Sequence, residues 1–141
     1  MYRAGRPADP HFEPDERLFH RCLKVHLEFG RVLPAAFRSP DFSVNRSKYS
    51  EPEDVLVPVY RRWGIACFEV AVIPSEMSSP GGVSYQFQVD HIPEEDNYAH
   101  SEVRTYKSGK HSRKLKVHDV VKKQFRQILS DSAILLKDPG E

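Results

Sequence analysis

The chain has 141 residues, 39% hydrophobic and 29% charged, with two cysteines and a formal net charge of +1. That length fits one domain, which buries roughly 68–70% of the surface its unfolded chain exposes and needs no disulfide or metal to hold a core. No apolar run approaches the roughly 20 residues of a membrane-spanning helix, and MYRAGRPADPHFEPDE lacks the apolar stretch of a secretory signal, so the sequence predicts a cytoplasmic protein without membrane contact.

Residues 1–15 carry Pro7, Pro10 and Pro14 and little that can pack, which predicts a flexible N-terminal arm and a single domain over 16–141. Leu18, His20 and Cys22 alternate with Phe19 and Arg21, as in a strand over 17–23. A second extended stretch, 31–37, is interrupted by Pro34, and Phe42 to Asn45 reads as a brief third strand. Ser50 and Glu53 have the spacing of a capping box, and Val55, Leu56, Val59, Tyr60 and Trp63 recur at helical spacing before Gly64. Pro58 would kink that helix or divide it into two short pieces.

The apolar run 65–73 suits a central strand, and 74–82 reads as an exposed Ser/Pro/Gly loop. Val83, Tyr85, Phe87 and Val89 alternate with Ser84, Gln86 and Gln88, the pattern of a strand with one wet face. A further strand is expected over 99–106 and a turn over 107–110. Val117, Val121, Phe125 and Ile128 share one helical face, which predicts a helix over 113–129, and 133–136 returns to the core. Strands following one another without helices from 65 to 106 imply antiparallel neighbours. The expected fold class is therefore α+β, a single domain with a mainly antiparallel sheet and helices packed on one face.

The near-neutral total hides a polarised chain. Residues 1–103 hold 11 Lys/Arg against 16 Asp/Glu, whereas 104–141 hold 10 against 4. Arg104, Lys107, Lys110, Arg113 and Lys114, followed by Lys116, form a basic stretch at a turn and an expected helix start, a combination able to bind an anion through point charges and free backbone N–H groups. The same residues also read as a solvated face, and both readings stand.

In a strand over 99–106, His100, Glu102, Arg104 and Tyr106 share one side. A histidine, a carboxylate and an arginine so placed can act as base, electrostatic partner and anion clamp, although a solvent-facing strand would show the same row. Arg21, Arg31 and Ser43 stand among apolar residues, and a buried Arg needs a partner. Glu102 is the expected partner of Arg21 if their strands are neighbours. Cys22 and Cys67 lack CxxC spacing and read as reduced, buried thiols. No HxH, HxxxH or HExxH spacing marks a metal site, and the absence of GxGxxG, GxxxxGK[ST] and GxSxG leaves no cofactor implied.

The blocks Leu18-Phe19-His20-Arg21, Gly30-Arg31-Val32, Ala36-Phe37-Arg38, Phe42-Ser43-Val44-Asn45, Ser50-Glu51-Pro52-Glu53 and Asn97-Tyr98-Ala99-His100 resemble a group of small bacterial proteins, a resemblance that carries no catalytic residues with it. A looser one is to the ADP-ribosyltransferase-like toxins. It implies that Arg21, Ser43 and Glu102, in that order, grip and activate NAD. The toxins' Ser-Thr-Ser run is here Phe42-Ser43-Val44, and His100 stands where a second acid would precede Glu102.

Two functions remain open from the sequence. One is a small bacterial enzyme or effector acting on a phosphorylated ligand, nucleotide or nucleic acid, with Arg21, Ser43, His100 and Glu102 in a cleft beside the basic stretch. The other is a non-catalytic protein-binding or adaptor domain using opposed acidic and basic patches.

Overall fold

The computed structural model describes residues 6–140. The strands, in chain order, are β1 (Arg17–Cys22), β2 (Leu27–Glu28), β3 (Arg31–Val32), β4 (Asp41–Arg46), β5 (Gly64–Glu69), β6 (Glu76–Ser78), β7 (Ser84–His91), β8 (His100–Tyr106) and β9 (Ile134–Lys137); the α-helix α1 spans Asp119–Ser132. Seven strands form one sheet in the order β6-β7-β8-β4-β1-β5-β9, antiparallel at every pairing, while β2 and β3 make a separate hairpin.

Alternation along the strands explains the core. Leu18 and Cys22 of β1, Phe42 and Val44 of β4, Ala66 and Phe68 of β5, Phe87 of β7 and Val103 of β8 join one buried cluster. Val121, Phe125 and Leu129 of α1 belong to it, and the Phe125 ring stacks on Phe87 with centroids 4.3 Å apart. The intervening residues Phe19, Ile65 and Cys67 form a second, smaller cluster under Val55. That cover stops at β1 and β5. Over β4 and β8 the second face of the sheet is polar.

The helix α1 starts six residues later than the apolar spacing implied. Val117 is buried in the segment leading to it, the Nδ1 of His118 caps it by accepting from the Val120 N–H at 3.1 Å, and Leu129 rather than Ile128 reaches the core. The helix expected over 50–63 is replaced by two 3-10 turns, Pro52–Val55 and Pro58–Tyr60, each opened by a proline. Pro58 cannot donate to the carbonyl of Asp54, so an α-helix cannot pass through it. The cap also moves by one residue: Asp54 accepts from the Glu51 N–H at 2.8 Å, while the Ser50 hydroxyl donates to the Arg46 carbonyl at 2.6 Å.

Three connections differ from expectation. The 74–82 segment contains β6, which pairs with β7. β5 does not neighbour β7; it pairs with β1 and β9. Its Gly64 is required by a close approach, because a Cβ there would lie 2.7 Å from the Lys137 carbonyl oxygen and 2.9 Å from Pro139. Finally, residues 6–15 of the expected flexible arm are tied to the domain, whereas 1–5 lie outside the described residues. The buried Arg46 donates to the Asp9 and His11 carbonyls, both at 2.6 Å, and to Glu16 at 2.8 and 2.9 Å, with the Phe12 ring 3.8 Å from its guanidinium.

Candidate functional site

The polar face of the sheet is built by register. Ser43 of β4 stands opposite Glu102 of β8, Asn45 opposite His100, and Asp41 opposite Arg104. On the other side of β4, Phe19 of β1 stands opposite Asn45, so alternation carries Arg21 to the same face as Ser43. Arg21, Ser43, His100 and Glu102 are therefore brought onto one surface.

That surface is concave. The 3-10 turns 52–60 rise along one side, with Val55 and Tyr60, and the 92–99 connection rises along the other, with Glu94 and Asn97. A cavity of about 520 Å³ is lined by Arg21, Ser43, Asn45 and His100 together with these walls. A second, of about 360 Å³, shares Arg21, Ser43 and Tyr60 and adds His26, Arg38, Asp41, Glu102 and Arg113. The two adjoin as one cleft, acidic where Asp54, Glu94 and Asp96 line it and richer in arginine at the other end.

His100 is oriented by backbone. His100 Nδ1 lies 2.8 Å from the Ile92 carbonyl oxygen, which can only accept, so in the neutral ring Nδ1 holds the proton and the Nε2 lone pair is left free. Nε2 lies 3.3 Å from the Ser43 hydroxyl oxygen and 3.9 Å from a Glu94 carboxylate oxygen. The Ser43 hydroxyl can donate to it. A neutral imidazole held this way can take a proton from Ser43, or from a ligand hydroxyl in its place.

Arg21 is not paired with Glu102, because β4 separates their strands. Its guanidinium packs 3.8 Å from the Tyr60 ring centroid and donates to the Val55 carbonyl at 3.3 Å. Among the described residues it has no carboxylate within ion-pairing distance. Burial lowers its pKa, and the charges of Tyr60 and Glu94 oppose that shift; an arginine nevertheless stays charged near neutral pH.

Glu102 is engaged. One oxygen accepts from Arg104 at 2.9 and 3.0 Å, and the other lies 3.5 Å from Arg113. Asp90 extends this ladder, lying 3.9 Å from Arg104 and accepting a short hydrogen bond from the Tyr106 hydroxyl. Two members of the basic stretch thus face carboxylates on the sheet, while Lys107, Lys110 and Lys114 are exposed. None of the five stands at the start of α1, which begins at Asp119. Arg31 is also exposed, 3.4 Å from Asp131, and not a buried cation.

Sequence reasoning passed over Asn45, Asn97, Arg38 and Tyr60. Asn45 had a signal, since it lies two residues from Ser43 and hence on its face. Asn97 and Tyr60 reach the cleft from irregular connections that no periodicity marks. Cys22 and Cys67 are free and buried, and burial raises both thiols, Cys22 to about 11. Among the described residues no group of three or more His, Cys, Asp and Glu is placed to hold a metal ion, and no helix is long and apolar enough to cross a membrane. No family model matches the chain, and no curated protein or solved structure matches it.

Proposed function

We propose that the cleft is an enzyme site for a phosphorylated ligand of the nucleotide class. His100 is the general base, Ser43 is the hydroxyl it polarises, and Arg21 is the anion clamp. Glu102 is a positioning residue, since its carboxylate is occupied by Arg104 and Arg113. The observation that carries this reading is that one cavity is lined both by the Ser43–His100 hydrogen bond and by Arg21, which has no carboxylate partner among the described residues. A charge left unpaired in a half-buried cleft is well disposed toward an anionic ligand.

Arg38 and Arg113 at the second cavity and the exposed Lys107, Lys110 and Lys114 beyond it supply further positive charge for a longer phosphorylated chain. The order Arg21, Ser43, Glu102 on one face supports an ADP-ribosyltransferase-like form of the reaction. The two arginines on Glu102 weigh against that carboxylate touching substrate. Two unpaired buried cysteines support a reducing, cytoplasmic setting.

Calorimetric titration with ADP tests the proposal. Wild-type protein is expected to bind, Arg21→Gln to weaken binding about tenfold or more through loss of a charge-assisted contact, and Ser43→Ala to bind nearly as wild type. An Arg21→Gln protein that binds ADP unchanged, or a wild type that does not bind, overturns it.

A protein-binding role has one observation of its own. Phe29, at the tip of the β2–β3 hairpin, is fully exposed and in the left-handed region with φ 51°. A large aromatic so exposed is of the kind that serves as an anchor at interfaces.

A further inference from the structure

The second cavity carries the chain's one tryptophan. Trp63 and Tyr60 line it beside Arg21, Arg38, Arg113 and His26. Trp63 lies between the turn Pro58–Tyr60 and β5, and its backbone is held at both ends: its N–H donates to the Tyr60 carbonyl at 2.9 Å, and its carbonyl accepts from Lys137 Nζ at 3.2 Å. Both rings are part-exposed, and they meet edge to face with centroids 5.2 Å apart and planes at 83°. Among the described residues Tyr60 is the only aromatic ring that Trp63 touches, so at most one face of the indole is covered in this way.

Arg21 ties these rings to the anion clamp. Its guanidinium lies 3.8 Å from the Tyr60 centroid, and the indole follows 5.2 Å from that centroid. Those two steps set the longest separation the cation and the indole can have, and a nucleoside diphosphate spans it between base and phosphates. Further donors line the same cavity. His26 Nδ1 accepts from the Leu23 N–H at 3.0 Å, which leaves Nε2–H as the donor of the neutral ring. The two carboxylates present already face cationic or imidazole groups: Glu102 meets Arg104 and Arg113, and Asp41 lies 3.2 Å from His111 Nε2 and 3.9 Å from Arg113. Aromatic rings next to guanidinium groups are what a nucleotide needs, and about 360 Å³ is room for one. Phosphate alone would use the charges and leave the indole idle, whereas every base has a flat π-face to set against it.

We infer that Trp63 is the stacking platform for the base of a nucleotide whose phosphates lie on Arg21, Arg38 and Arg113. This rests on the phosphorylated-ligand reading of the cleft but concerns a different part of the ligand. Stacking is indifferent to the identity of the base, so purine and pyrimidine nucleotides are both accepted.

The test is titration of wild-type, Trp63→Leu, Trp63→Phe and Arg21→Gln proteins with ADP, UDP, adenosine and inorganic pyrophosphate, followed by calorimetry and, in wild type, by the fluorescence of the single tryptophan. Circular dichroism first shows which variants are folded. Wild type is expected to bind ADP and UDP about tenfold or more tightly than pyrophosphate, the advantage that stacking one base confers. Both nucleotides should change Trp63 fluorescence, and pyrophosphate should not. Trp63→Leu is expected to lose the advantage while binding pyrophosphate unchanged, Trp63→Phe to keep most of it, and Arg21→Gln to weaken ADP, UDP and pyrophosphate alike. Equal binding of pyrophosphate and both nucleotides, an advantage that survives Trp63→Leu, or ADP binding that leaves Trp63 fluorescence untouched overturns the inference and leaves the phosphate reading standing. The fluorescence arm decides the matter even if Trp63→Leu does not fold. Trp63-dependent binding of adenosine without binding of pyrophosphate upholds the inference and overturns the phosphate reading. Binding of none of the probes overturns both.

Discussion

Arg46 and Glu16 form a two-point ion pair at 2.8 and 2.9 Å, with the arginine side chain wholly buried and the carboxylate almost so. A bidentate guanidinium–carboxylate contact is geometrically demanding, and removing one partner strands a buried charge. Glu16→Gln is therefore expected to cost about 3–5 kcal/mol, read from the urea midpoint of unfolding at constant slope. A loss below about 1 kcal/mol would mean that water or the Asp9 and His11 carbonyls already satisfy the cation.

Acid is expected to destabilise the fold in two stages. Burial lowers the pKa of His91 and of His20 below the ordinary value of 6.5. Their unfolded forms therefore bind protons that the folded forms refuse, so the stability they contribute is present above pH 6.5 and falls as the pH drops below it. His91 Nδ1 accepts from the Asp9 N–H at 2.9 Å and lies 3.4 Å from Arg46, so a proton there would meet a donor and a cation. Asp9 adds a lower stage. Its carboxyl is held well below its ordinary 3.8 by hydrogen bonds from Tyr49, Lys48 and the His11 N–H, so its contribution is lost as the pH falls below that value. Urea midpoints at pH 7.5, 6.5 and 5.5 measure the first stage and those at pH 4, 3 and 2 the second, and His91→Gln should flatten the first.

The helix register makes a sharp pair of substitutions. Phe125 is buried against Phe87, whereas Ile128, which the spacing in the sequence assigned to the core, is only partly covered. Phe125→Ala is expected to cost about 3–5 kcal/mol and Ile128→Ala well under half of that. Thermal unfolding of the two variants ranks them; the reverse order would place the helix one step round.

Both cysteines should resist thiol reagents in the folded protein. Burial pushes the Cys22 thiol up to about 11 and raises Cys67 as well, which suppresses the reactive thiolate at pH 8. Labelling with a disulfide reagent is expected to be slow in buffer and rapid in denaturant, with two equivalents reacting. Fast labelling in buffer would show that the strands β1 and β5 open locally.

The strands were legible wherever burial alternates with exposure. Tyr85 with Gln86 and Phe87 with Gln88 carry the period-2 signal, and β7 lies within a residue or two of where it falls; β1, buried on both faces at Leu18 and Phe19, was placed by its apolar and aromatic content. The turns 52–60 were not, because Val55 and Tyr60 also fit a helical stripe, and only Pro58 argued for breaking it. The order of the strands was beyond reach as well. Placing β4 between β1 and β8 is a long-range choice that no local pattern encodes, and it decides that Arg21 meets Tyr60 and leaves Glu102 to Arg104 and Arg113. The face shared by Ser43, His100 and Glu102 was readable in part, since His100 and Glu102 are two apart on one strand. Asn97, whose amide donates to the Asn45 amide oxygen at 2.8 Å, was not, because it arrives from a connection with no periodicity.

The hold of Arg46 on residues 9, 11 and 16 sets where a minimal folding unit can begin. A version starting at Arg17 would keep every strand of the sheet and yet leave a guanidinium inside the protein facing vacated acceptors. Shortened versions for crystallisation or for display on a fusion partner should therefore retain Asp9, and a tag is best joined by a linker that leaves this segment free to fold back.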